Sequence, residues 1–430
     1  MKKTTFLVIL FIISAVTISA QVGVVETEQA TILKASEKIL KEVSQLRGLP
    51  ARNPEKSGFK SRKELETIVI RDLDEERGPE QMAVQTKLLK LLGLIPKDYS
   101  LRDQLVKLLT EQIGGFYDPR TKEFYLVDWL DFEEQKPVIA HELTHAMQDQ
   151  NFDLRRFEKL PKDESDKELA IQALIEGEAT VVMLNYIFKP QGLDVTKMRI
   201  PLSGLFEMTS AENDNRFPEL ANAPSVIREA LEFPYFYGAS FVQELVHRKD
   251  WDYVSKVYTT DLPESTEQIM HPEKFFARET PTKFQLKDSS SLLGKGWKRT
   301  DLDINGEFGF YLILTDFIGK KQAKEAAEGW GGDQYAFYEN EAKGGAILVQ
   351  MTNWDDEDEA KEFFEAYSER TLKRYEQPQA KKDTEVLKLY QTKTGLVVLE
   401  RRGKDILIIE GVQPEQLTKL QAEVWKAAGK

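Results

Sequence analysis

The sequence predicts an α+β protein, with a mainly helical first part carrying a small sheet and a smaller α+β unit after it. Three observations lead there. Apolar residues recur at helical spacing through residues 25–110 and again through 137–188 and 225–260. A short strand–turn–strand pattern interrupts them at 114–127. In the last 130 or so residues, strand pairs and helices succeed one another, the signature of a separate α+β unit. At 430 residues and 41% hydrophobic content the chain is long enough for two or three domains with real cores.

Residues 1–20 read as a secretory signal peptide. Lys2 and Lys3 precede an apolar run from Phe6 to Val16, and Thr17-Ile18-Ser19-Ala20 follows, with cleavage expected after Ala20. The run falls short of the roughly 20 residues that cross a bilayer. The mature protein is therefore expected to be exported, periplasmic or secreted, with no stable membrane insertion. Cleavage leaves 57 basic against 72 acidic residues, a net charge of −15. A surface this acidic disfavours nucleic acid and anionic membranes. There are no cysteines, which excludes disulfides and thiolate ligands, so any metal must be held by imidazole and carboxylate.

The elements follow in order. In the N-terminal region, 21–110, Ile32, Ile39, Leu40, Val43 and Leu46 mark a helix that Gly48-Leu49-Pro50 stops. Further helices are expected at 63–73, 81–94 and 101–112. A second region, 111–280, opens with Gly114-Gly115-Phe116-Tyr117, a turn at Asp118-Pro119, and a strand at 124–127. Pro137 suits the first turn of a helix running to about Gln150. A charged stretch at 161–167 separates it from a long helix at 168–188, and residues 225–260 are helical again. A polar connector at 277–296 leads into the C-terminal unit, 297–430. There a helix is expected at 308–329, strands at 334–339 and 346–352, a helix at 355–375, strands at 386–391, 396–401 and 405–410, and a last helix. The acidic run Asp355-Asp356-Glu357-Asp358-Glu359 falls where a helix begins and complements its dipole.

The stretch VIAHELTHAMQDQ, 138–150, carries the chemistry. His141 and His145 are four apart and so project from one helical face, close enough to share a metal. Glu142 lies about 100° around the helix, beside that face but turned too far to be the natural ligand. That is the place for a general base, taking a proton from water activated by Zn2+ and handing it to a leaving amine. Val138, Ile139, Leu143, Ala146 and Met147 give the helix an apolar body.

A third ligand must come from elsewhere. A metzincin would need Gly and His where Gln148 and Asn151 stand. Asp153, on the exit from the helix, is one candidate. The better one is Glu176 in Ala173-Leu174-Ile175-Glu176-Gly177-Glu178-Ala179. It shares a face with Ala173, Ala179, Thr180 and Met183, where an unpaired carboxylate would be costly. Gly177 lets another backbone come close. Glu178, about 200° away, is the fallback.

His-Glu-Leu-Thr-His-Ala at 141–146, followed by Glu-Gly-Glu-Ala at 176–179, resembles the gluzincin metallopeptidases. That class holds thermolysin and bacterial peptidases with a Glu-Gly-x-Ala third-ligand motif. The resemblance spans about residues 111–280 and implies a zincin-like catalytic domain. It also implies that His141, His145 and Glu176 are zinc ligands and Glu142 the base. Asp149, four residues after His145, matches an acid that orients a ligand in thermolysin-like sequences. The chain departs from the pattern at Thr180, where an acidic orienting residue is expected.

For the developing oxyanion, two candidate donors stand downstream, Tyr237 in Tyr235-Phe236-Tyr237-Gly238-Ala239 and His271 beside Pro272. His247, among Val246, Arg248 and Lys249, reads as surface. In a fold of this class a strand just before the zinc helix holds an extended peptide by main-chain pairing. The expectation is an exported zinc metallopeptidase acting on protein or peptide. Its alternatives are a retired zincin-fold scaffold, which would have no chemical need for Glu142, and a zinc hydrolase of a non-peptide amide.

Overall fold

The computed structural model describes residues 26–54, 56–76, 78–161, 163–204, 217–342 and 344–427. The expected export signal, 1–20, lies outside them. The fold is α+β, and the chain forms two compact units that interleave in sequence. Among the described residues no helix is long and apolar enough to cross a membrane.

Of the described residues, the first unit takes those within 26–82, 99–160, 168–204 and 217–263. Helix α1 (Glu26–Arg47) buries Ile32, Ile39, Leu40 and Val43, the stripe expected from their spacing, and packs on α5. Gly48, at φ +77°, closes it with an N–H to Ser44 O at 2.9 Å. After β1 (Lys56–Lys60), α2 (Arg62–Glu76), α3 (Gly78–Leu92) and α4 (Leu101–Gln112) comes the hairpin β2 (Gly115–Asp118) and β3 (Glu123–Val127). The sheet order is β1-β3-β2, with β1 parallel and β2 antiparallel to β3. The sequence shows no sign of β1: KSGFK has a single apolar residue.

Helix α5 (Phe132–Phe152) begins five residues before the expected Pro137. Asp131 and Glu134 form a reciprocal capping box, Asp131 accepting from Glu134 N at 3.0 Å and Glu134 accepting from Asp131 N at 3.3 Å. The cap sets the start, and Pro137 is carried inside. Helix α6 (Ser165–Phe188) follows. The helical stretch expected at 225–260 is two helices, α7 (Ser225–Arg248) and α8 (Trp251–Thr260). The break comes at Asp250, whose side chain caps α8 through Tyr253 N at 2.8 Å.

The second unit takes residues 83–98, 161–167 and 264 onward. Its sheet has seven strands, all antiparallel, in the order β4-β5-β6-β10-β9-β8-β7. The strands read from the sequence are β5 (Trp330–Asn340), β6 (Gly345–Trp354), β8 (Leu387–Thr392), β9 (Gly395–Arg402) and β10 (Asp405–Val412). The two it hid, β4 (Lys298–Asp303) and β7 (Gln379–Asp383), are the charged edges, KRTDLD and QAKKD. The helix expected at 308–329 breaks at Gly319, φ +88°, into α9 (Gly306–Ile318) and α10 (Lys320–Ala327). Asp356 caps α11 (Glu357–Arg374) by accepting from Asp358 N and Glu359 N, so the acidic run serves the helix start.

One face of the sheet builds a core from Val349, Met351, Val398, Leu407 and Ile409 under Trp425 of α12 (Pro414–Ala427). On β10 the alternate residues Ile406, Ile408 and Glu410 point the other way. Glu410, fully buried, accepts from Arg370 Nη1 at 2.6 Å, from Tyr375 at 2.6 Å and from Tyr367. Arg370 also donates to the Leu92 carbonyl of the same unit, so one guanidinium ties α11 to the central strand and to the segment 83–98. Arg370→Met would leave the buried Glu410 carboxyl without its cationic partner, and is expected to destabilise the second unit by about 3–5 kcal/mol. Chemical denaturation with an unchanged midpoint would count against this account.

Candidate metal centre

Helix α5 is buried on every side from Val138 to Asp149, which is unusual for a helix carrying five ionisable or amide groups there. It lies against β2 and β3 on one side and α1 on another. Gly115 makes the strand approach possible: a Cβ there would meet Val138 Cγ1 at 2.8 Å.

His141 and His145 leave one face of α5 with ring centroids 4.7 Å apart. Helix α6 brings Glu176 to them. Its Oε2 lies 3.2 Å from His141 Nε2 and 3.4 Å from His145 Nε2. One ligand atom from each of the three lies within 4.8 Å of the others, and all three side chains are buried. In a tetrahedral site with bonds of about 2.0–2.1 Å, neighbouring ligand atoms stand about 3.3–3.4 Å apart. The observed separations match. Among the described residues His145 Nε2 and Glu176 Oε1 have no hydrogen-bond partner, although both are fully enclosed. The group can hold a metal ion.

The electrostatics favour the donor forms. Burial pushes the His141 imidazole down to about 4, so it is neutral and offers a lone pair. Burial works against ionisation of Glu176, but His145 and His141 more than offset it and hold the carboxyl below its ordinary value. Glu142 is pushed well above the carboxylate range by burial and then by Glu176. Its Oε2 accepts from Tyr117 N of β2 at 3.0 Å, while Oε1 has no hydrogen-bond partner among the described residues. Glu142 is therefore anchored by one oxygen, with the other left for a reacting group.

The other sequence candidates fall out as follows. Glu178 Oε2 accepts from Gln148 Nε2 at 3.0 Å and Oε1 pairs with Arg47, which leaves it no part in the ligand set. Asp153 is the exposed αL residue that ends α5. Asp149 does not orient a ligand: it accepts from the Tyr117 hydroxyl at 3.0 Å and from Leu154 N at 3.1 Å, fixing β2 and the helix end. The residue that holds the candidate ligand His145 is Gln148, one position earlier, with Oε1 2.7 Å from His145 Nδ1. At Thr180, where an acid was expected, Oγ1 has no hydrogen-bond partner among the described residues, and neither does His141 Nδ1.

Helix α7 supplies an aromatic wall, but through Tyr235 rather than Tyr237. Tyr235 stacks on the His141 ring with centroids 6.0 Å apart, whereas half-buried Tyr237 stacks on Phe233 at 5.1 Å. His271 belongs to the second unit, where Nε2 meets Glu307 Oε1 at 2.8 Å. His247 is exposed, as expected. A further carboxylate cluster in the second unit, Glu267, Glu279 and Asp355, already surrounds a cation. Lys274 Nζ lies 2.5, 3.3 and 2.6 Å from them.

What seats Glu176 is a close helix crossing. A Cβ on Gly177 would lie 2.1 Å from the Gly238 carbonyl carbon, and a Cβ on Gly238 would lie 2.1 Å from Ala173 O. Neither position tolerates a side chain unless α6 and α7 separate.

Comparison with known proteins adds little about this centre. Residues 295–421 match a domain of unknown function, DUF8575, which covers the C-terminal sheet and helices and none of the metal group. No curated protein matches the chain. The crystal structure of a candidate hydrolase with a novel fold from Chloroflexus aurantiacus is 19% identical, covers 59% of this chain and 89% of its own, and superposes with a TM-score of 0.33. A likeness that low carries no argument about activity.

Gly238→Ala is expected to force α6 from α7, destabilise the first unit by about 1–3 kcal/mol and lower its metal content. Metal analysis and thermal unfolding of the variant check this, and wild-type values for both would remove the crossing from the account.

Proposed function

We propose that the chain is an exported zinc-dependent metallopeptidase of gluzincin type, acting on protein or peptide. One observation carries the reading: His141, His145 and Glu176 turn their ligand atoms on a single point inside the first unit, beside a buried carboxylate with one uncommitted oxygen. The two imidazoles and the carboxylate would hold the ion. When bound, zinc supplies Lewis acidity, lowering the pKa of water toward roughly 7 and polarising a carbonyl.

The chain's own residues supply the rest. Glu142 Oε1 takes the proton of the attacking water and returns it to the leaving amine, while Tyr117 N–H keeps the carboxylate from turning away. Buried neighbours exclude bulk water from the proton transfer. Retention of Glu142 favours an enzyme over a scaffold, because a binding protein gains nothing from an isolated buried carboxyl. Export rests on the apolar run after Lys2 and Lys3. Both expected oxyanion donors, Tyr237 and His271, are kept in this reading; His271 Nε2 meets Glu307 Oε1 at 2.8 Å.

The purified chain is expected to carry about one zinc. Glu142→Gln should keep the metal and cut kcat by about 10²–10⁴ on a peptide library. Alanine at His141, His145 or Glu176 should empty the site. A fully active Glu142→Gln protein would refute the mechanism. Tyr237→Phe is expected to lower kcat by about 10²–10³ without changing zinc content, and normal turnover would withdraw it as donor.

A further inference from the structure

The last residue of α1 is wired to the metal centre. Arg47 is 1% exposed, and its Nε donates to Glu178 Oε1, 131 residues later in the chain. Its other nitrogens donate to Trp251 O and Ser255 Oγ, each at 3.1 Å, and the guanidinium sits 4.7 Å above the Trp251 ring. Glu178 Oε2 accepts from Gln148 Nε2 at 3.0 Å. The same nitrogen faces Ile175 O and the Tyr258 hydroxyl, each at 3.0 Å.

These contacts decide which end of the Gln148 amide faces His145. With its nitrogen turned to three oxygens, only the carbonyl oxygen is left for His145 Nδ1, at 2.7 Å. A carbonyl accepts and cannot donate, so a ring carrying one N–H carries it on Nδ1 and leaves the lone pair on Nε2, the atom facing Glu176. A reversed amide would present N–H to Nδ1, move the ring hydrogen to Nε2 and remove a ligand. The carboxylate that disfavours the reversed orientation is Glu178, held in place by its buried pairing with Arg47.

We infer that Gln148, locked in one orientation by the buried Arg47–Glu178 pair, is the positioning residue that holds His145 ready to bind a divalent cation. The inference rests on the metal-centre reading above. It makes α1 an integral part of that centre and not a covering segment that could be removed without consequence.

Two variants of the full chain test it, with zinc affinity measured by competition against a chromophoric chelator. A second readout is the 15N spectrum of histidine-labelled protein, in which only four rings contribute. Gln148→Leu is expected to weaken zinc about 10–100-fold and to abolish the hydrogen-bonded Nδ1–H signal of His145. Arg47→Met/Glu178→Met removes both charges together, leaving neither buried alone, and is expected to weaken zinc about fivefold with broadening of the same signal. If Gln148→Leu does not fold, the double variant decides alone. Wild-type affinity and an unchanged tautomer signal in either folded variant would overturn the inference while leaving the metal centre standing. A wild-type chain that binds no zinc would overturn the metal centre, and this inference with it.

Discussion

Burial of Glu142, His141, His145 and Glu176, none more than 1% exposed, is the constraint to which the first unit answers. An ionisable group taken out of water needs a partner, a proton or an ion. His145 and Glu142 each have part of that requirement met by protein and part left open. His145 is held at Nδ1 and open at Nε2, and Glu142 is held at Oε2 and open at Oε1. Helix α5 therefore cannot show the one-sided apolar stripe of a surface helix, because its polar face is as enclosed as its apolar one.

Holding such a face closed demands backbone proximity on two sides. At α6 and α7 it comes from Gly177 and Gly238, which interlock where any Cβ would collide. At β2 it comes from Gly115 and from Tyr117, which is pinned twice, by its N–H on Glu142 and by its hydroxyl on Asp149. The strand and Glu142 consequently fix one another: β2 cannot shift without releasing Glu142, and Glu142 cannot turn without giving up a backbone donor. Asp149 acts on the strand and Gln148 on the ligand, an arrangement suited to a helix whose successive residues point about 100° apart.

Much of this was legible in the sequence and some could not be. Spacing alone placed His141 and His145 on one face, and the small and apolar neighbours of Glu176 marked it as a carboxylate in need of a partner. The α+β character was legible because the inner strands β5, β6, β9 and β10 carry long apolar runs. Edge strands β1, β4 and β7 carry charge to stay soluble, and that charge erased their signal. Gln148 was detectable in principle, three residues after His145 on a neighbouring face. Arg47 was not, because nothing local in α1 announces a partner on α6. Tyr235 and Tyr237 are two apart on a helix and so point in different directions, which only packing can decide.

The charge balance of the interior gives the last step. Arg47 and Glu178 cancel as a pair. That leaves Glu142 and Glu176, two carboxylates whose ionisation is opposed by burial and, for Glu142, by the other as well. The described residues bring Arg47 to Glu178, not to this group, and cation and anion there are already matched. A divalent cation would supply positive charge at the one point where the open donor atoms converge. A thiolate-seeking metal would find no thiolate in a chain without cysteine. On the proposed reading that ion is zinc, and Glu142 is the carboxyl it leaves free to carry protons.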